Sequence, residues 1–402
     1  MIVPGSVLGV LGSGQLGRMF TIAARRMGYR VHTFSPDEDT PTGQLADREV
    51  AASYADEAAI REFARGVDVL TFEFENIPSQ SVAWAEEECV VHPAGRVLHL
   101  CQHRLREKHF LQDAGFPLPR FLPVESKGEL IAAVSHIGTP CVLKTASFGY
   151  DGKGQRKIDG FTDLSLLWDE VTEGLPTTAN GGAPFVVEAW VEFEMEISVI
   201  VARGVRGEMV TFPVCENQHR RHILDVTMVP ARIDTDLAGR ARQLAGEVAA
   251  KLNLVGVLAV EMFVRPIPGA ADGVPPQLLI NELAPRPHNS GHFSFDASVT
   301  SQFEQQLRAV CGLRLGSAEL LRPCAMANLL GDLWDEAGAA GLPGPNWAAA
   351  AAFADVKIHL YGKAQPRAGR KMGHMVAFAA SPQEAAERVI AARAALVCKT
   401  PR

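Results

Sequence analysis

Short apolar runs recur along this chain, each followed by a turn or an amphipathic stretch. Residues 7–11 are apolar throughout and lead into Gly12-Ser13-Gly14-Gln15-Leu16-Gly17. A helical pattern continues to about Met27, strand-like residues span 29–34, a helix lies near 56–65, and residues 67–72 form another apolar run. This strand–turn–helix–strand alternation predicts an α/β, parallel, doubly wound domain over about the first 100 residues.

Beyond residue 100 the alternation is lost. Residues 104–115 are helical in pattern, with Gly115 and Pro117 as the stop signal. A short strand at 140–144 feeds a glycine-rich loop, and 185–188 and 196–202 are strand-like. A helix covers 236–252, and two strands, 255–264 and 277–283, flank a Pro/Gly-rich loop. The irregular mixture predicts an α+β domain. The Ala-, Gly- and Pro-rich stretch 337–352 suggests no function. Strand character resumes at 355–361, and an alanine-rich amphipathic helix occupies 384–396.

Composition narrows the classes. With 402 residues, two to four domains are expected. Apolar residues, at 47%, suffice for several cores, and 21% charged residues argue against wholesale disorder. A net charge of −7 and the lack of a basic run offer no electrostatic reason to bind nucleic acid. Seven dispersed cysteines form no C-x-x-C pair, which reads as thiols in a reducing cytosol. No segment approaches the ~18 apolar residues of a membrane span, so a soluble, cytoplasmic protein with no membrane partner is expected.

The chemistry concentrates in a few segments. Gly149-Tyr150-Asp151-Gly152-Lys153-Gly154-Gln155 lacks the spacing of a P-loop. Its glycines allow the backbone to approach anionic oxygens, and Lys144 and Lys153 add positive charge, so a turn folding over a triphosphate is expected. Glu261 and Glu282 each interrupt an apolar strand. Alternation puts Val257, Ala259, Glu261 and Phe263 on one face, and Leu278, Ile280 and Glu282 on one face. If the two strands pair, the carboxylates meet and need a cation. Oxygen-only ligands near phosphates favour magnesium over zinc.

The first glycine turn leaves three readings open: a dinucleotide site, a ligand-free strand–helix turn, or a site for a single phosphate. No acid ends the second strand, where a nicotinamide enzyme normally carries one, because that strand runs into Ser35-Pro36. The single-phosphate reading is favoured, with contacts from Gln15 and Leu16. Glu73 and Glu75 follow the third apolar run. On an extended segment they share one face and suit ribose hydroxyls or an amine.

Several motifs occur together and in a fixed order: the run from Gly12 to Arg18, Glu73-Phe74-Glu75-Asn76, the 149–155 loop, Asn281 to Gly291, and Gly369-Arg370-Lys371-Met372-Gly373-His374. In this combination the chain resembles the N5-carboxyaminoimidazole ribonucleotide synthase family of ATP-grasp enzymes, over about residues 5–378. The resemblance implies a biotin-carboxylase-like domain over 1–100 and an ATP-grasp fold over 101–312 whose two lobes divide near 185. It implies a small domain over 313–402, and a homodimer.

It also implies roles. Arg104, Lys144 and Gly149, Tyr150, Asp151, Gly152, Lys153, Gly154 and Gln155 would contact ATP. Glu188, Ala189, Trp190 and Val191 would form the adenine hinge, Glu196 would bind ribose, and His219 and Asn281 would contact the nucleotide. Glu261 and Glu282 would hold magnesium, with Glu282 also near ATP. Gln15, Leu16, Glu73, Tyr150, Asn289, Lys363, Arg370 and Lys371 would bind the ribonucleotide. Asp151, Lys144, Lys363, Arg286 and His288 are the catalytic candidates, Asp151 as the group that positions or deprotonates the amine.

The implied reaction uses ATP to convert bicarbonate to carboxyphosphate, whose carbon dioxide is captured by 5-aminoimidazole ribonucleotide. The competing readings are a formate-dependent glycinamide ribonucleotide transformylase and a non-catalytic nucleotide-binding protein. The sequence departs from the family pattern at Phe148, where glycine is more usual, and in the stretch 337–352.

Overall fold

The computed structural model describes residues 1–147, 154–173, 184–267, 269 and 274–398. Phe148, Gly149, Tyr150, Asp151, Gly152 and Lys153 therefore lie outside the described residues.

Strands β1 (Val7–Leu11), β2 (Arg30–Ser35), β3 (Arg48–Ala51) and β4 (Val69–Phe72) form a parallel sheet in the order β3-β2-β1-β4. The helix Gln15–Arg26 covers it with Leu16, Met19, Phe20, Ala23 and Ala24, all buried. Their spacing of three and four residues is the stripe that a helix lays on a sheet. The doubly wound expectation holds, with β3 an addition to it.

A second sheet is antiparallel. It contains β5 (Phe121–Val124), β6 (Cys141–Thr145), β7 (Gln155–Ile158) and β8 (Phe185–Ala189), in the order β5-β8-β6-β7. Gly154, at φ +73°, carries the chain into β7, a left-handed conformation that favours glycine.

The third sheet is the largest. It begins with β9 (Met195–Arg203), β10 (Met209–Thr211), β11 (Cys215–Arg220) and β12 (Ile223–Val229). Next come β13 (Gly256–Arg265), β14 (Gln277–Ala284), β15 (Cys324–Leu330), β16 (Val356–Leu360) and β17 (Lys371–Phe378). The order is β14-β13-β9-β11-β12-β15-β17-β16, with β10 beside β9. The C-terminal strands thus extend the central sheet, because β15 pairs antiparallel with β12 from Val226↔Ala327 to Val229↔Cys324.

The stretch 337–352 is not featureless. It overlaps the helices Asp332–Ala339 and Trp347–Ala351. Trp334 and Trp347 meet edge to face and pack with the last helix, Pro382–Ala395, in one core.

The first and third sheets are joined through the helix Gln302–Val310. Phe303, Leu307 and Val310 enter the core beneath the first sheet with Met19 and Phe20. Gln306 donates to Thr71 Oγ1 at 2.9 Å and accepts the Val257 N–H at 2.6 Å. One buried carboxamide therefore spans β4 and β13 and ties the first sheet to the third.

Candidate active site

A cavity of about 860 Å³ opens where the three sheets converge. Gln15 and Leu16 line it from the first glycine turn, Glu75 from beyond β4, and Lys144 and Gln155 from the second sheet. Glu196, His219, Glu261, Asn281 and Glu282 line it from the third sheet. Arg286, His288 and Asn289 follow β14 into it, and Lys363, Arg370 and Lys371 close the far side.

Glu261 and Glu282 are direct partners across β13 and β14. The register then shifts, so that Met262 faces Ile280 and Asn281 is left over. This bulge corrects the expected alternation. Leu278 and Ile280 belong to the core that holds Val260 and Met262, on the side opposite to the cavity. An unbroken strand would have sent Glu282 into that core behind Ile280; the extra residue lets Asn281 and Glu282 both face the cavity.

The two carboxylates are each held by a nitrogen partner. His288 Nε2 lies 2.9 Å from Glu261, and Arg104 Nη1 lies 3.2 Å from Glu282. Burial raises the Glu261 carboxyl, but the nearby His288, His219 and Lys371 outweigh it and hold it below its ordinary value. Asn281 Oδ1 is buried with no hydrogen-bond partner among the described residues. Two carboxylates and an orphaned amide oxygen form an all-oxygen donor set. That set fits magnesium, which takes its remaining ligands from water and phosphate.

Glu73 departs from expectation. It does not share a face with Glu75, because the chain turns after β4. Its carboxylate instead reaches back to the glycine turn, accepting from the Gly14 N–H and from the Gly17 N–H at 2.7 Å. A Cβ at Gly14 would lie 2.7 Å from Glu73 Oε1, and one at Gly17 would lie 2.4 Å from Thr42 Oγ1. The glycines of this turn therefore serve an internal carboxylate. Burial raises the Glu73 carboxyl despite those two N–H bonds and the charges of Lys363 and Arg286. Two of the amides expected to face a phosphate are thus already occupied, and Glu73 stands behind the cavity wall.

Glu75 takes the exposed role. Arg286 binds it with two nitrogens, one at 2.9 Å. Burial raises the Glu75 carboxyl, but the charge and the hydrogen bonds of Arg286 together outweigh it and bring it down to about 2.

The hinge candidates Glu188, Ala189, Trp190 and Val191 are not cavity-lining. Glu188 points into the protein. It accepts from Lys144 Nζ at 2.9 Å, and Lys108 Nζ lies 3.2 Å from the same oxygen. The Lys108 contact is a charge contact without hydrogen-bond alignment. Burial raises Glu188, and Lys108 followed by Lys144 overcomes it and brings the carboxyl to about 2. Burial lowers the Lys144 amine more than Glu188 raises it. Trp190 lies under Lys157, whose Nζ is 4.3 Å from the ring centroid. Lys108 was missed in the sequence, although it lies one helical turn beyond Arg104, a spacing that places both on one face.

His219 pairs with Glu196 through Nδ1. Burial disfavours the imidazolium, but the Glu196 bond and the charges of Glu196 and Glu261 prevail and raise it. Asn289 exchanges amide hydrogen bonds with Asn328 at 3.1 and 2.7 Å. Lys363 donates to the Lys371 carbonyl at 2.7 Å, and Arg370 to the Gln365 carbonyl at 2.8 Å. Lys371 begins β17 and is a strand residue. Phe263, His222 and Arg367 also line the cavity without having been singled out.

Glu107 behaves differently from the other acids. Burial, then the charge of Glu282, pushes its carboxyl up to about 8, and it accepts the Leu283 N–H at 3.3 Å. The folded protein thus holds a proton that an unfolded carboxyl, near 4.5, has released. The associated stability is complete below that unfolded value and is lost as pH rises through the folded one. Glu107→Gln keeps a neutral acceptor for Leu283. In magnesium-free thermal unfolding it should match the parent in acid and become the more stable of the two above the folded value of about 8. Parallel pH profiles for the two proteins would refute the protonated carboxyl.

A cleft between an antiparallel lobe and a larger sheet, with acids on paired strands and lysines opposite, defines an ATP-grasp ligase. Three family models match in succession: a ribonucleotide synthetase preATP-grasp domain at 6–102, an ATP-grasp domain at 109–303 and a phosphoribosylaminoimidazole carboxylase C-terminal domain at 324–388. The chain is 42% identical over 387 residues to N5-carboxyaminoimidazole ribonucleotide synthase of Bacillus subtilis (strain 168), covering 96% of this chain and 94% of that protein. A crystal structure of an N5-carboxyaminoimidazole ribonucleotide synthetase with ADP superimposes with a TM-score of 0.88 at 39% identity, covering 98% of this chain and 97% of the other. The Aspergillus clavatus synthase in complex with ADP and 5-aminoimidazole ribonucleotide superimposes at 0.82 with 26% identity, over 97% and 98% of the two chains. The chain belongs to the N5-carboxyaminoimidazole ribonucleotide synthase family.

Proposed function

We propose that this chain carboxylates 5-aminoimidazole ribonucleotide with bicarbonate, at the expense of ATP, to give N5-carboxyaminoimidazole ribonucleotide, ADP and phosphate in purine biosynthesis. The observation that carries the reading is the Glu261–Glu282 pair, set by a bulge beside Asn281, in one cavity with the cluster of Lys363, Arg370 and Lys371. A metal-and-phosphate end and an anion-binding end are what the two substrates require.

Bicarbonate is a poor electrophile. Phosphorylation by ATP makes carboxyphosphate, and its carbon dioxide is trapped by the ribonucleotide amine as a carbamate. Glu261, Glu282 and Asn281 would hold magnesium, which when bound offsets charge on the transferring phosphoryl group. Lys144 and Arg104 already face the cavity and are cationic partners for phosphate oxygens. Glu196 and His219 would meet the ribose side of the nucleotide. Asp151 and Tyr150, assigned from the sequence pattern, would attend the amine. Arg286 and His288 flank the carboxylate pair and would meet the bicarbonate-derived oxygens. Arg370 and Lys371 would hold the ribonucleotide phosphate with the backbone amides of Gln15 and Leu16, since the Gly14 and Gly17 amides are committed to Glu73. The same reading carries a cytoplasmic homodimer, to be checked by sedimentation velocity.

ADP release should require bicarbonate with 5-aminoimidazole ribonucleotide. Equal release with formate and glycinamide ribonucleotide would replace this reading with the transformylase one.

Arg370 provides a sharper test. A guanidinium grips phosphate with two parallel bonds, as an ammonium cannot. Arg370→Ala should raise KM for the ribonucleotide roughly ten- to hundredfold, the effect of one lost charge-assisted contact. KM for ATP should stay unchanged. An equal rise in both constants, or in neither, would remove the phosphate from this corner.

A further inference from the structure

The two ring nitrogens of His288 have chemically different neighbours. Nε2 faces the cavity and Glu261. Nδ1 faces Ser290, lying 3.3 Å from its backbone nitrogen and 2.9 Å from its Oγ. A backbone N–H can only donate. Nδ1 must therefore present a lone pair, and His288 caps the short 3-10 turn Asn289–Gly291 through that nitrogen. In a neutral ring the proton then resides on Nε2, directed at the cavity.

The structure behind Ser290 points the same way. Thr227 Oγ1 donates to Asn217 Oδ1 at 3.1 Å, and Asn217 Nδ2 donates to Ser198 Oγ at 2.9 Å. The Ser198 hydroxyl hydrogen is left for Ser290 Oγ, 2.7 Å away, and the Ser290 hydrogen for His288 Nδ1. Thr227, Ser198 and Ser290 are fully buried and Asn217 nearly so, which leaves no bulk water to reverse the chain. The His288 backbone is clamped as well: its N–H donates to Gln302 Oε1 at 2.9 Å, and its carbonyl accepts from Gln302 Nε2 at 2.7 Å. Neither the ring nor its backbone is left to rotate into a different pattern.

We propose that Ser290, backed by Ser198 and Asn217, is a positioning residue that keeps His288 as the Nε2–H tautomer, so that His288 offers a substrate oxyanion a hydrogen bond instead of accepting a proton as a base. The substrate role rests on the function proposed above; the tautomer does not. The chain runs across β9, β11 and β12, so rigid sheet elements hold the donor in place.

The test is long-range proton–nitrogen correlation NMR on ligand-free enzyme carrying ring-labelled histidine, at mildly alkaline pH. Comparison with His288→Gln assigns the ring. The expected spectrum has a pyridine-type Nδ1 and a pyrrole-type Nε2. A pyrrole-type Nδ1 overturns the proposal. Ser290→Ala keeps the backbone N–H on Nδ1 and loses only the hydroxyl, so the two nitrogen shifts should move toward each other without merging, kcat should fall about tenfold from the lost hydrogen bond, and KM for ATP should hold. Ser290→Thr, which keeps the hydroxyl, should restore both. Should Ser290→Ala not fold, Ser198→Ala interrupts the chain one step earlier and should shift the same resonances. Unchanged shifts in a folded variant refute the relay, and unchanged kcat with altered shifts refutes the donor role. A correct tautomer in a protein without carboxylation activity counts against the proposed reaction alone.

Discussion

Glu282→Gln is expected to abolish ATP turnover in a protein that still folds. Glu282 lies directly across from Glu261, and both face the cavity beside the orphaned oxygen of Asn281. The amide matches the carboxylate in shape but halves the anionic charge available to a divalent cation. Loss of one such electrostatic element typically costs ~10²–10³ in rate. ADP release at saturating magnesium and both substrates measures it, and circular dichroism checks the fold. Arg104 would keep the charge of Glu188 near it, so the structure should survive. Near-normal ADP release from folded Glu282→Gln would end the metal assignment.

The second large effect concerns stability. Glu188 is the shared counter-ion of two buried amines, Lys108 and Lys144. Glu188→Gln leaves both with a neutral neighbour. Breaking a buried ion pair from one side costs ~3–5 kcal/mol, because the remaining charge is uncompensated. Denaturant unfolding of Glu188→Gln should show a loss in that range. Adding Lys108→Met removes one stranded charge and should recover part of it. Additive losses in the double variant would mean that Lys108 and Glu188 do not act as one unit.

Much of the site was legible before folding. Glu261, Asn281 and Glu282 are short polar interruptions of apolar strands, which burial makes costly unless they have a purpose, and Arg286, His288 and Asn289 lie in the polar turn that follows. Arg370 and Lys371 come from an ordered motif and Lys363 from the family resemblance, and all three line the same cavity. The contact of Glu73 with the glycine turn is not legible in the sequence, because a carboxylate after a strand looks the same whether it faces a ligand or a glycine turn. Lys108 and Glu107 were overlooked because a Glu-Lys pair on a helix normally belongs to solvent. Only packing against β14 and β8 buries them.

By itself the sequence determined the alternating first domain, the irregular second one, the oxygen-rich donor set and the glycine loop, because these depend on local periodicity and residue chemistry. Tertiary structure alone decided three matters. Strand pairing placed the bulge at Asn281 and so turned two consecutive polar residues toward one cavity. Chain reversal after β4 committed Glu73 to the amides of Gly14 and Gly17. Burial of a serine–asparagine chain across three strands gave His288 a direction for its proton. Each depends on which donor meets which acceptor across a long stretch of chain, and hydrophobic periodicity carries no information about that.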